Sequence, residues 1–218
     1  MADVLIRVAE SAEDIDRLFR ARHRVFAEVD GYVPCRADGR LCDRFDAYPT
    51  NRNLIAEHDG RIVGGLRFTE QSPAGTPPDE FFDFGSFLDA KTTRFGSASK
   101  LFLEHAYRGS KVAFTLYGVG YAWGLGRGWT HVIGTANPET VPALLRSGYR
   151  PLTAEQFHAQ QGLPFVPVLL DVAELDPRLR RFASSYRGGP VWCRLDHRPE
   201  DEATVARRPA AVPFGAHR

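Results

Sequence analysis

No apolar stretch in this sequence approaches the ~20 consecutive residues that a bilayer-spanning helix needs. The opening run from Met1 to Arg7 also lacks the cationic flank and long apolar segment of a secretory signal. The expectation is therefore a cytoplasmic protein. Cysteine is scarce: Cys35, Cys42 and Cys193 form an odd set without tight spacing. Neither a C-x-x-C pair nor a nearby His pair completes a zinc site, so no metal is expected and free thiols are. An excess of charge of one sign is missing too. Twenty-eight basic residues face 27 acidic ones for a formal net charge of +1, which gives no global attraction to nucleic acid or to an anionic membrane. Any anion site has to be local. No internal repeat is present.

What is there suits one medium-sized domain. At 218 residues, with 43% hydrophobic and 25% charged, the chain is long enough and apolar enough to bury a continuous core. Leu5 to Ala9 reads as a strand. Ser11 is an N-cap with Asp14 three residues on, and Ile15, Leu18, Phe19, Ala21, Val25 and Phe26 then recur at helical spacing until Gly31 and Pro34 end the helix. A polar loop runs to about Asn53. Residues 53–58 and 61–68 flank Asp59-Gly60, the strongest hairpin signal in the chain. Residues 70–95, with Pro73, Pro77, Pro78 and Phe81, Phe82, Phe84 and Phe87, read as a long loop with short helical pieces that folds over something.

Further strands are expected at 97–104, 130–135, 149–152 and 165–172, the last being the final clear one. Helices are expected from about Lys111 to Gly126 and from Glu139 to Ser147, stopped by glycines. The pattern is a mixed α/β (α+β) sheet in one domain over 1–196, with a mobile Pro-, Arg- and Ala-rich tail over 197–218.

The chemistry-bearing segment is Tyr107-Arg108-Gly109-Ser110-Lys111-Val112-Ala113, between a strand and a helix. The first turn of a helix carries unpaired N–H groups and a partial positive charge, so it can hold a phosphate. Gly109 permits close backbone approach, and Arg108 and Lys111 add local charge. A plain basic strand-to-helix corner would look the same.

Leu101 to Gly109 resembles the strand and phosphate loop of the GNAT superfamily of N-acyltransferases, and Asn137 to Tyr149 resembles that family's short helix ending in Gly-Phe/Tyr. The loop matches the usual R/Q-x-x-G-x-G/A pattern only at Arg108-Gly109 and Ala113. The ordered set Arg22, Phe26, Gly31-Tyr32, Asp43-Arg44-Phe45-Asp46 and Ile62 to Arg67 is similar to the acyl-homoserine-lactone synthases and the long-chain N-acyl amino acid synthases. The segment Leu163 to Val172 is closer to the N-acyl amino acid synthases. Tyr32 where the lactone synthases usually have Trp, Leu41 where they have Glu, and Ser97-Ala98-Ser99-Lys100 where they have Glu-x-Ser-Arg argue against lactone synthesis from S-adenosylmethionine.

The resemblance implies a single GNAT-like domain, with a mostly antiparallel mixed sheet flanked by helices. It implies an acyl-phosphopantetheine thioester donor, carried by acyl carrier protein or as acyl-CoA, and a small-molecule amine acceptor such as an amino acid. The carrier protein would itself be a partner. In this fold the strand before the turn splays from its neighbour, so Leu101, Phe102 and Leu103 would hold the pantetheine arm and polarise the carbonyl, and Arg108 to Ala113 would take the phosphate. Arg22, Phe26, Tyr32 and Arg67 would line the acceptor side. Ser97 and Ser99 stand where relatives carry Glu, His or Ser and would relay a proton through water. Glu104 is the nearest carboxylate to the turn and is expected to face solvent.

Asp43 and Asp46 would either bind or deprotonate the acceptor, or pair with Arg22, Arg67 or Lys100 and brace the wall. Ion pairing is the commoner cause of such clusters. The tyrosine that protonates the leaving thiolate in several relatives aligns with Leu144 and is absent. The Phe-rich segment with Phe102 and Phe114 is either ordinary core, the commoner case at such spacings, or, by resemblance to the long-chain relatives, the lining of an acyl tunnel. The rival readings are an acetyl-CoA-dependent N-acetyltransferase and a non-catalytic acyl-thioester binding module.

Overall fold

The structure is a computed structural model that describes residues 3–89, 93–157 and 163–195. The tail expected to be mobile lies outside the described residues. The first strand, β1 (Asp3–Val8), leads through the Ser11 capping box into α1 (Ala12–His23). The helix then widens into a six-residue π-helix, Arg24–Val29. The hairpin predicted at Asp59-Gly60 joins β2 (Asn51–His58) to β3 (Arg61–Glu70). Asp59 and Gly60 both have positive φ, as the tight turn requires. β4 (Phe95–Leu103), α2 (Lys111–Gly126), β5 (His131–Ala136), α3 (Val141–Arg146) and β8 (Pro164–Asp171) follow in the expected order. Two short strands, β6 (Arg150–Pro151) and β7 (Gln156–Phe157), both pair with β8 as an interrupted edge.

All described strands join one sheet in the order β6-β8-β5-β4-β3-β2-β1-β9, with β7 also on β8. Every pairing among the described residues is antiparallel except β4 with β5. Two elements lie beyond the last strand expected from sequence: α4 (Pro177–Ser185) and β9 (Val191–Arg194). Asp176 caps α4 with Pro177 at its first position, a start signal that the sequence does carry. β9 pairs with β1 and covers what would otherwise be an edge.

The alternation of residues along the strands divides the core. Leu54, Ala56, Leu66, Phe68 and Leu103 face α2 and α4, where the larger cluster also takes in Val112, Leu116 and Leu179. Ile55, Ile62 and Phe102 face α1 through Leu18, Ala21 and Val25. α2 approaches the sheet closely because it is glycine-rich. A Cβ on Gly120 would lie 1.8 Å from the Phe68 ring, and one on Gly118 would lie 2.4 Å from Phe182 of α4. The α1 face is completed further down by Phe84, Leu88 and Phe95 packed on Ile133 and Leu169. The 70–95 segment thus folds over the sheet as expected, with two short 3-10 turns at Pro77–Glu80 and Phe84–Ser86.

Candidate active site

β4 organises the site. Its register against β3 runs Gly64 with Leu103 and Gly65 with Phe102, then shifts so that Arg67 pairs with Ser99. Between those pairs, Lys100 and Leu101 of β4 stand opposite the single residue Leu66, a β-bulge. Lys100 has φ of 56°, a left-handed conformation uncommon for a residue with a side chain. On its other edge β4 pairs with β5 only through Phe95–His131, Gly96–Val132 and Ser97–Ile133. Beyond Ser97 the two strands part, although β4 continues to Leu103 and β5 to Ala136. The splay places Leu101, Phe102 and Leu103 on a strand edge without a β5 partner, the arrangement anticipated for a donor arm. An edge of this kind presents backbone N–H and C=O groups.

On the α1 face, beside the bulge, the charged residues singled out from sequence come together. Asp43 caps a 3-10 turn, Arg44–Ala47, in which Asp46 completes a capping box, so the two carboxylates are held by one short helical turn. Arg67 donates to both Asp43 oxygens at 2.6 and 3.0 Å and to Ser99 Oγ at 3.0 Å. Arg22 donates to Asp46 at 2.8 Å and to Asn53 Oδ1 at 2.6 Å. Both guanidinium side chains are fully buried. Lys100 Nζ lies 3.6 Å from Asp43. Burial works against ionisation of Asp43, but the hydrogen bonds and charge of Arg67, with Lys100 and Arg22 behind, outweigh it and hold the carboxyl down at about 2. Burial pushes the guanidinium of Arg22 and the ammonium of Lys100 downward. Asp43 and Asp46 are therefore bound into ion pairs with the partners considered from sequence, and they brace this wall.

Other candidates are placed differently from expectation. Glu104 does not face solvent. It accepts from Arg24 at 2.6 Å, lies 3.1 Å from Arg61, and its side chain is 13% exposed. Two guanidiniums hold the charge that a solvent-facing position would have left to water. Ser97 is fully buried with an unpartnered Oγ, at the point where β4 and β5 separate. In the turn into α2, Gly109 has the left-handed φ of 77° that the corner requires, and Ser110 caps α2 by accepting from the Val112 amide. Lys111 and Ala113 fall in the first helical turn. Arg108 is turned back: it donates to the Leu103 carbonyl at 3.0 Å and to both Asp30 oxygens at 2.7 and 2.6 Å. His105 is an exposed residue of the 3-10 turn His105–Tyr107.

The wider π-turn at the end of α1 sets Phe26 edge-on to Phe102, with ring centroids 6.0 Å apart. Tyr32 follows in the loop and donates to Glu139 at 2.7 Å, joining the α1 side to the segment after β5. Burial and Glu139 push its phenol up to about 12. Of the two readings of the aromatics, a single tunnel is not what the side chains form. Phe102 packs on the α1 side, Phe114 packs on Phe182, and Phe82 stacks on Phe87. Phe81, Phe82, Phe84 and Phe95 instead line a separate open cavity of about 590 Å³ with Gln71 and Leu88. Arg44 bonds Glu80 at 2.7 Å and ties this segment to the Asp43–Asp46 turn.

Sequence reasoning did not find Asp30, Asn53, Arg24 or Glu139, whose roles depend on contacts across the fold. Lys100 appeared there only as a pairing partner, because a bulge has no signature at a Ser-Lys-Leu step. Among the described residues no group of three or more His, Cys, Asp or Glu is placed to hold a metal ion, and no helix is long and apolar enough to cross a membrane.

The family model for "N-acyl amino acid synthase FeeM" matches residues 17–171, well over half of the chain. No curated protein matches it. Among solved structures, FeeM from uncultured soil microbes superposes with a TM-score of 0.66 at 15% identity, over 83% of this chain and 95% of its own. The CoA-dependent acyl-homoserine lactone synthase BjaI gives 0.61 at 20% identity, over 83% and 90%. An acyl-CoA N-acyltransferase from Pseudomonas aeruginosa gives 0.54 at 16% identity, over 78% and 99%. At such identities the superpositions establish the GNAT-like fold, and the family match adds the chemistry. A splayed β4, a capped turn into α2 and a charged wall beside the bulge thus belong to an N-acyltransferase, and the chain is a member of the N-acyl amino acid synthase FeeM family.

Proposed function

We propose that the protein transfers a medium- or long-chain acyl group from a phosphopantetheine thioester to the amine of an amino acid or related metabolite. The splay between β4 and β5 carries this reading, because the freed part of β4 leads through the turn into α2 and its Ser99 pairs with Arg67 of the charged wall. The pantetheine arm lies along Leu101–Leu103, its phosphate meets the turn from Gly109 to Ala113, and the thioester carbonyl reaches the bulge. Backbone N–H groups fixed along a strand edge stabilise the developing oxyanion without reorganising, and holding the amine beside the carbonyl supplies much of the remaining rate. Thiolate departure needs little help at an ordinary thiol pKa of ~8.5.

Acyl carrier protein is the favoured donor. Because Asp30 holds the Arg108 guanidinium, this turn matches the single phosphodiester of a carrier-bound arm better than the more highly charged nucleotide end of CoA. The Phe-lined cavity beside Phe95 supports a chain longer than acetyl. Acyl carrier protein and CoA loaded with chains from acetyl to palmitoyl, each offered with the free amino acids and read by mass spectrometry, test the proposal. N-acyl products from the longer carrier-bound donors are expected. Transfer of acetyl alone would point to a small-molecule acetyltransferase, and donor binding without any product would point to a binding module.

A further inference from the structure

The wall beside the splay holds three cations, Arg22, Arg67 and Lys100, against two carboxylates, Asp43 and Asp46. The two buried arginines already match the two aspartates, and Arg67 engages both oxygens of Asp43. Lys100 is left with a contact to Asp43 at 3.6 Å, too long for a hydrogen bond. Protonated, it would be the unbalanced charge of the cluster. The bulge gives it an unusual place. With φ of 56° it follows Ser99 on the strand, its side chain reaches the α1 face beside Asp43, and the next residue is Leu101, the first of the donor edge.

Resting on the proposed acyl transfer, we propose that Lys100, as the neutral amine, is the general base of the reaction. The acceptor nitrogen uses its lone pair to form the C–N bond while the carbonyl π pair moves to oxygen at the β4 backbone. The Nζ lone pair takes the proton that this nitrogen sheds. Collapse re-forms the carbonyl and breaks the C–S bond, whose pair leaves on sulfur. The proton on Nζ then passes to that thiolate, so thiol and amide are released and the lysine is reset. Lysine can do this because burial lowers its proton affinity, whereas a guanidinium stays charged. Groups facing it from the neighbouring elements are Arg22 of α1, Asp43 and Asp46 of the 3-10 turn and Arg67 of β3. Burial and the two arginines favour the neutral form, and the two aspartates oppose it. The same residue supplies the acid that Leu144 cannot.

The chain contains three lysines, Lys91, Lys100 and Lys111, so ε-¹³C-labelled lysine gives three signals that Lys→Arg variants assign. The Lys100 signal of the wild-type protein is expected to titrate below the ordinary lysine range, because burial and the neighbouring guanidiniums disfavour its charge. Lys100→Arg fixes a permanent cation at this position and removes the base. It should lose about 100-fold or more in kcat while its donor Kd stays within about threefold. Titration of Lys100 within the ordinary lysine range, or turnover in Lys100→Arg within about fivefold of wild type, would overturn the assignment and leave the residue as a cationic anchor. A wild-type protein that acylates no amine in the donor panel removes the parent reading and this one together. Turnover that survives in the arginine variant removes only the role of Lys100.

Discussion

Asp46 shows how much of the charged wall depends on one carboxylate. Its side chain is 3% exposed, with Arg22 at 2.8 Å and Arg67 at 3.1 Å, both fully buried. Removing one member of a buried ion pair leaves its partner's charge desolvated, which costs about 3–5 kcal/mol. Asp46→Ala is therefore expected to lower stability by that amount, read as a fall in the midpoint of urea unfolding. A loss below about 1 kcal/mol would mean that water reaches the arginines and that the wall is soft. Asp43 differs, because its side chain is 30% exposed and takes the more open side of the cluster. The pair was legible in sequence from its spacing, since a helical turn puts residues three apart on one side. Its partners were legible only as candidates, since Arg22 and Arg67 each lie 24 positions away from the carboxylate that they bind most directly.

At the level of elements, α2 carries a tight constraint. It runs 16 residues with glycines at 118, 120 and 124 on the buried side, because Phe182, Phe68 and Trp129 occupy the space that side chains would take. Gly120→Ala removes a helix-weakening residue, which on an exposed face would be worth about 1 kcal/mol of stabilisation. Here the added methyl would sit 1.8 Å from the Phe68 ring, so overpacking should win and destabilise by about 1–3 kcal/mol. Thermal unfolding checks the sign, and an unchanged or raised Tm would show that the helix can move outward at no cost.

The elements themselves were well marked in the sequence. The Ser11 capping box, the Asp59-Gly60 turn and the glycine stops announced α1, the β2–β3 hairpin and the end of α2. α4 and β9 passed unnoticed because β9 is four residues long and pairs across the whole chain with β1. The β4 bulge and the π-turn after α1 are register effects, set by what the segments pack against, and no residue pattern marks them.

Across the whole molecule, the sheet consists of a five-stranded part, β9-β1-β2-β3-β4, and a smaller part built on β5 and β8. Three residue pairs, from Phe95–His131 to Ser97–Ile133, join the two within the sheet. Backbone amides on the β4 edge beyond Ser97 lack the protection that a β5 partner would give. They are expected to exchange with solvent faster than those of β3, and to slow on addition of a non-hydrolysable acyl-pantetheine donor. Hydrogen exchange read by mass spectrometry on 98–104 against 61–70 tests this. Equal protection in both segments without donor would mean that the opening is sealed.

So short a seam also makes the sheet a mechanical joint. The opening lengthens away from Ser97, so a small rotation about residues 95–97 changes the gap at Leu103 far more than it changes the gap at Ser99. Tyr32 with Glu139 joins the loop after the π-helix to the segment after β5, and Arg108 with Asp30 ties the end of β4 to that same loop. For the proposed donor arm, the Tyr32–Glu139 contact would then set the available width from one loop, while the seam at Phe95–Ser97 stays paired.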